Sequence, residues 1–142
     1  MDIINEAKKL FNETWDLLDK KERTDEENIT MLHKAHTSCF LWQSVNNPTN
    51  NARGEWQVAR VYSTLGFGEA SLLHAKRSLK ICTSNEIGGF DLAFGYEAVA
   101  RAYAACGNGD ECSKYKELAI KACEGIEKDD DKTYALGEIN GI

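Results

Sequence analysis

The chain has 142 residues, 17 of them lysine or arginine and 23 aspartate or glutamate, with a formal net charge of −6 and a pI near 5.1. That length builds one sizeable core and falls short of two ordinary domains, and the acidic balance argues against a nucleic-acid surface, which needs a basic field over at least one face. No run approaches the roughly 18 apolar residues of a membrane helix, and the start Met1-Asp2-Ile3-Ile4-Asn5 lacks the basic region of a signal peptide, so a cytoplasmic protein with small molecules, peptides or proteins as partners is expected.

One proline and the absence of strand-like alternation make the chain read as helical throughout. A first helix over residues 2–20 places Ile3, Ile4, Ala7, Leu10, Phe11, Trp15 and Leu18 on one stripe at spacings of three and four. Thr24-Asp25-Glu26-Glu27 is a capping box that opens a second helix, reaching Val45. Asn46-Asn47-Pro48-Thr49-Asn50-Asn51 reads as the longest polar loop, placed to carry function as well as to connect. A third helix covers residues 52–65, and Gly66-Phe67-Gly68 turns the chain into a fourth over residues 69–82. Residues 83–89 form the next break. A fifth helix then spans residues 90–106, with Asp91 expected as its cap. Gly107-Asn108-Gly109-Asp110 leads to a sixth over residues 111–126, and the glycines ending helices three and five are expected as left-handed caps. Asp129-Asp130-Asp131 caps a short last helix around residues 133–139, since carboxylates favour the positive end of the dipole.

Helices three and four recur in helices five and six. At an offset of 41 residues, Val58, Ala59, Arg60, Tyr62, Gly66, Gly68, Lys80 and Cys82 meet Val99, Ala100, Arg101, Tyr103, Gly107, Gly109, Lys121 and Cys123. A fainter copy at the same offset pairs Trp56 with Trp15 and His74 with His33. A fixed period of this size marks a stack of supersecondary units, none of which buries its apolar face alone. The expected architecture is all-α, a single domain over residues 1–142 with helical hairpins at about 2–45, 52–82 and 90–126 and a cap at about 130–140.

Tyr62 followed by Gly66, Ser71, Ala75, Ser78 and Leu79 resembles the tetratricopeptide repeat, and Tyr103, Gly107, Cys112, Ala119 and Ile120 resemble it less closely. The period is longer than in that family, and the usual proline after the second helix is missing. Ala52-Arg53-Gly54-Glu55-Trp56-Gln57 and the segment from Gly89 to Glu97 are also similar to a group of small bacterial helical-repeat proteins that brings no assigned activity. The resemblance implies a right-handed stack of antiparallel hairpins in which the first helix of each lines a concave groove. It implies Arg53, Trp56, Gln57 and Arg60 on the groove side of helix three, and Phe94, Glu97 and Arg101 on helix five. Arg60 and Arg101, at equivalent positions, would then share one anionic group, since guanidinium binds carboxylates and phosphates through paired N–H donors. The plainer reading is that Glu97 and Arg101 form only an i, i+4 surface pair and that Arg60 stacks on Trp56.

Other chemistry finds little support. Cys39, Cys82, Cys106, Cys112 and Cys123 are odd in number and have no CxxC spacing, as in a reduced protein that uses cysteine as a small hydrophobe. His33 and His36 share a helix face, but no further metal-ligand pattern follows, so no metal and no cofactor are expected. His36 near Cys39 suggests a base and a nucleophile, without an orienting third residue. The sequence thus points to a non-catalytic module that binds a peptide or protein in a groove favouring anionic or acidic ligands. A small-molecule binding protein or enzyme using the same groove is the alternative, and a homodimer covering its open ends is a further possibility.

Overall fold

The computed structural model describes residues 1–142. Seven helices follow one another: α1 (Ile3–Leu18), α2 (Asp25–Ser44), α3 (Pro48–Thr64), α4 (Gly68–Ser84), α5 (Gly89–Ala105), α6 (Gly109–Ala122) and α7 (Asp129–Asn140), with a 3-10 turn at Cys123–Gly125 before α7. None is long and apolar enough to cross a membrane. Consecutive helices pack together, and α1, α3, α5 and α7 also touch in series, whereas α2, α4 and α6 have no mutual backbone contact. The helices therefore form an inner layer of α1, α3, α5 and α7 and an outer layer of α2, α4 and α6.

Local chemistry sets the helix limits. Thr24 and Glu27 close the expected capping box, with Glu27 N donating to Thr24 Oγ1 at 3.1 Å and Thr24 N to Glu27 Oε1 at 3.0 Å. The polar run after α2 is not the long loop expected from its composition. Asn47 Oδ1 accepts from Asn50 N at 3.1 Å and Pro48 occupies the first turn, so α3 begins four residues earlier than residue 52. Gly66 and Gly107 have φ of 85° and 77°, and the N–H groups of Phe67 and Asn108 reach back to Tyr62 O and Tyr103 O at 2.9 Å. These are the left-handed helix ends that glycine permits. Ile3 and Ile4, placed on the apolar stripe of the first helix, are instead exposed at its free end.

Small residues set the distance between helices. Ala59, Ala75, Ala98, Val99 and Ala102 form the core between α3, α4 and α5, and Ala93, Phe94, Ala119, Cys123, Ile126, Ala135 and Ile139 the core beneath α7. A Cβ on Gly54 would lie 3.2 Å from the Cys39 Cα, and one on Gly95 3.3 Å from the Leu79 Cα, so α3 approaches α2 as α5 approaches α4. Buried hydroxyls mark the same relation: Ser38 Oγ donates to Ala7 O and Ser78 Oγ to Ala52 O, each at 2.8 Å. By this correspondence Ala52 answers to Ala7, which sets Trp56 against Phe11. The 41-residue offset therefore does not extend to α1, because α2 is longer than α4 and residues 19–24 make a longer connection than residues 65–67 between α3 and α4.

Gly68 and Gly109, equivalent in sequence, separate cleanly in structure. A Cβ at Gly68 would stand 2.7 Å from Cys106 Sγ and 2.8 Å from Cys106 N, whereas one at Gly109 meets nothing within 4 Å. Gly68→Ala is expected to destabilise by about 1–3 kcal/mol through overpacking against backbone, and Gly109→Ala to be neutral or stabilising by about 0.5 kcal/mol through a less disordered unfolded chain. Urea unfolding of the two variants checks the contrast; equal effects would refute it.

Candidate functional site

The inner layer contains a cavity of about 280 Å³. Phe11 and Trp15 of α1, Trp56 of α3, Phe90 and Phe94 of α5 and Tyr134 of α7 provide its aromatic wall, with Ala52 and Ser78 between them. Trp15 and Trp56 lie 5.5 Å apart between ring centroids, Trp56 meets Phe94 edge-to-face at 5.6 Å, and Phe94 meets Phe90 at 4.7 Å and Tyr134 at 5.9 Å. Such rings offer a large apolar area with few rotatable bonds. The volume falls just under the roughly 300–1,000 Å³ of drug-sized ligand pockets, so it suits one large side chain or a small aromatic molecule.

Arg53 and Asp91 complete the lining. Arg53 Nε donates to Asp91 Oδ1 at 2.8 Å and Nη2 to Oδ2 at 3.1 Å. Asp91 lies inside the first turn of α5 instead of capping it; Gly88 holds the cap position and the carboxylate crosses to α3. The Arg53 side chain is 51% exposed against 16% for Asp91. Because the aspartate occupies the Nε edge, the N–H groups of Nη1 and the outer one of Nη2 stay open to a second anion.

Arg60 and Arg101 do converge on one anionic group, and that group belongs to the protein. Glu97 is completely buried. Arg101 Nε donates to its Oε1 at 2.8 Å, Trp56 Nε1 donates to its Oε2 at 3.1 Å, and Arg60 Nη1 lies 3.7 Å from Oε1. Glu138 of α7 adds a second carboxylate 3.7 Å from Arg60 Nη2 and 3.9 Å from Arg101 Nη2, while Arg101 Nη2 donates to the Glu138 carbonyl at 3.2 Å. Two guanidinium groups thus face two carboxylates. The Glu97–Arg101 pair has the i, i+4 spacing of a surface pair but sits in the interior. Gln57 also points inward: its Nε2 donates to Phe11 O at 2.9 Å, tying α3 to α1. Of the seven residues expected in the groove, Arg53, Trp56 and Phe94 line the cavity, Glu97, Arg60 and Arg101 hold Trp56 from behind, and Gln57 packs away from it.

A second polar cluster joins α2, α3 and α4 and was missed as a unit in the sequence. Glu55 Oε2 accepts from His74 Nδ1 at 2.7 Å and Oε1 from Arg77 Nε at 3.2 Å. His36 Nε2 meets Tyr62 Oη at 2.8 Å, and the His74 ring stacks on Tyr62 at 5.7 Å. No spacing rule relates Glu55 to His74, which face each other only through the rotation of α4 on α3. Burial, followed by the nearby Glu55 charge, pushes the Cys39 thiol up to about 12. Little thiolate exists there at neutral pH, and His36 is engaged by Tyr62, so the residues do not form the nucleophile and base that their proximity suggested. Burial tends to raise the Glu55 pKa, but the His74 hydrogen bond and the His74 and Arg77 charges together hold it below the usual 4.5.

Two outcomes follow from these clusters. Glu97→Gln is expected to cost about 3 kcal/mol, because it leaves buried arginines short of a counter-charge; chemical denaturation measures it, and a loss under about 1 kcal/mol would contradict the buried-ion account. Burial, with His74 beside it, holds His36 below its ordinary 6.5. The unfolded chain therefore binds that proton more readily, and the associated stability is present above pH 6.5 and lost as the pH falls below it. His36→Gln should flatten the fall in Tm between about pH 7 and 5; an unchanged slope would exclude His36 as its source. Comparison with protein-family models, with curated proteins and with solved structures finds no match to this chain.

Proposed function

We propose that the chain is a tetratricopeptide-like, right-handed stack of three antiparallel hairpins capped by α7, and that it acts as a non-catalytic module binding a peptide segment or partner protein on its inner layer. The recurring serine-to-carbonyl bonds at Ser38 and Ser78, the paired close approaches at Gly54 and Gly95 and the left-handed ends at Gly66 and Gly107 support the stack. Five free cysteines fit a reducing, cytoplasmic setting.

The observation that carries the binding reading is the aromatic cavity with a half-exposed guanidinium on its lining. A large apolar side chain of the ligand enters the cavity against Trp15, Trp56 and Phe94, and burying it contributes about 1.5–3 kcal/mol. An acidic group on the same ligand takes the open edge of Arg53 without displacing Asp91. Arg60 and Arg101 act at one remove, by fixing the Glu97 carboxylate that holds the Trp56 indole. The limited volume also favours a second reading, a small aromatic carboxylate in the same place.

Panning a random peptide display library on the full chain separates these. The module reading expects enrichment of peptides that combine a large apolar residue with an acidic group, and affinity at least about tenfold lower for Trp56→Ala and for Arg53→Gln. Quenching or shift of the Trp15 and Trp56 emission reports occupancy directly. No enrichment over Trp56→Ala would end the module reading, and a saturable response to 3-phenylpropionate alone would favour the small-molecule one.

A further inference from the structure

Charge is distributed unevenly along the chain. Residues 29–84 carry six lysines and arginines, two glutamates and all three histidines, a balance of +4, while the rest holds eleven basic and twenty-one acidic residues, a balance of −10. Three of the central cations are neutralised by the flanks: Lys34 by Glu13, Arg53 by Asp91, and Arg60 by Glu97 and Glu138. The other three, Lys76, Arg77 and Lys80, are exposed on α4: Arg77 pairs with Glu55 at 3.2 Å, Lys76 Nζ lies 5.7 Å from the centre of the Tyr103 ring, and Lys76 and Lys80 make no ion pair. Along α4 the only carboxylate is Glu69, and α2 has none from Ile29 to Ser44.

The same outer surface exposes large apolar side chains. Phe40 of α2 is 69% exposed, Leu73 of α4 63% and Phe67, just before α4, 56%. A row of rings fills the gap between α2 and α4. Phe67 packs on Tyr62 at 6.4 Å, Tyr62 reaches both His36 and His74, and the two histidine rings lie 5.4 Å apart across the gap between α2 and α4. Phe40 is one turn beyond His36 on α2, and Leu73 precedes His74 on α4. Around them Glu69, one turn before Leu73, is the one exposed carboxylate of α4, against Lys76, Arg77 and Lys80; exposed apolar groups with a mainly basic rim mark a surface for association.

We propose that this strip of α2 and α4 is a second docking surface, for an acidic amphipathic segment of a partner protein. The apolar face of the segment covers Phe40, Phe67 and Leu73, and its carboxylates meet Lys76, Arg77 and Lys80. Charge complementarity selects this occupant, and width selects it over an anionic bilayer. A planar membrane covers more of the outer layer than a single helix does, and that layer exposes Asp25 and Glu26 at the start of α2 and Asp110 and Glu117 on α6.

The probe is a dye-labelled peptide of roughly 18 residues, long enough to be helical when bound, with leucine and phenylalanine on one face, glutamate on the other and no basic residue. Fluorescence anisotropy with the full chain is expected to show saturable binding whose Kd rises about tenfold between about 50 and about 300 mM NaCl. The double variants Lys76→Glu with Lys80→Glu, and Phe40→Ser with Leu73→Ser, should each weaken it about tenfold or more with the helical circular dichroism unchanged, since all four side chains are exposed. Trp56→Ala should leave it intact, which separates this surface from the cavity. Absence of saturable binding, or binding that survives both double variants, overturns the proposal. So does co-sedimentation with phosphatidylserine vesicles, or self-association of the chain, that the same variants abolish, because the occupant would then be a membrane or a second copy.

Discussion

Glu97 is the point on which the inner layer depends. Taking a carboxylate out of water costs several kcal/mol, and such an ion persists only when its charge and its lone pairs are both answered. Here the answers come from two elements, Arg101 on the same helix and Trp56 and Arg60 on α3, while Glu138 on α7 balances the second charge of the two arginines. The requirement fixes how α3 is rotated against α5, since a turn of either helix would withdraw a donor. It also aims the Trp56 ring, whose N–H is held on Glu97 while its face looks into the cavity. A buried ion thus sets the orientation of an apolar wall.

The neighbouring residue does the opposite on the other side of α3. Glu55 reaches outward to His74 and Arg77, so adjacent residues of one helix anchor it to both layers. Helix α3 accordingly has little freedom to slide, and buried or half-buried side chains cover most of its circumference. Helix α3 lies between the inner cavity, which it lines with Ala52, Arg53 and Trp56, and the gap between α2 and α4, where its Tyr62 meets His36 and His74. Their chemistry differs because Arg53, Arg60 and Arg101 of the inner layer are paired with carboxylates, whereas Lys76 and Lys80 of α4 have no carboxylate partner.

Much of the architecture was legible in the chain. Capping residues, the glycines of left-handed helix ends and the spacing of small residues act over a few positions, so the sequence displays them directly. The gathering of Arg53, Trp56 and Phe94 was visible because equivalent positions of successive units fall on one side. What stayed hidden depended on rotation and on distant partners. Glu138 lies 37 residues beyond Arg101, and nothing in α7 by itself reveals that its carboxylate returns to the arginines. The capacity of Asn47 and Pro48 to open a helix was masked by the polar composition around them. Trp15 was matched to Trp56 by number, yet meets it as a neighbour across α1 and α3, since the longer first connection shifts the register.

The order of packing has a consequence for how the protein is made. Helices touch either their immediate neighbours in sequence or the next but one, so most loops that must close during folding are short and their entropic cost is small. The central helices α3, α4 and α5 already share a core of alanine and valine. The aromatic cavity, however, takes Tyr134 from α7, and the paired arginines take Glu138 from the same helix. On a ribosome, the central unit can assemble while the chain is still being synthesised, but the cavity cannot close until α7 has emerged. Closure of the cavity therefore follows the synthesis of α7, after the central helices have been made.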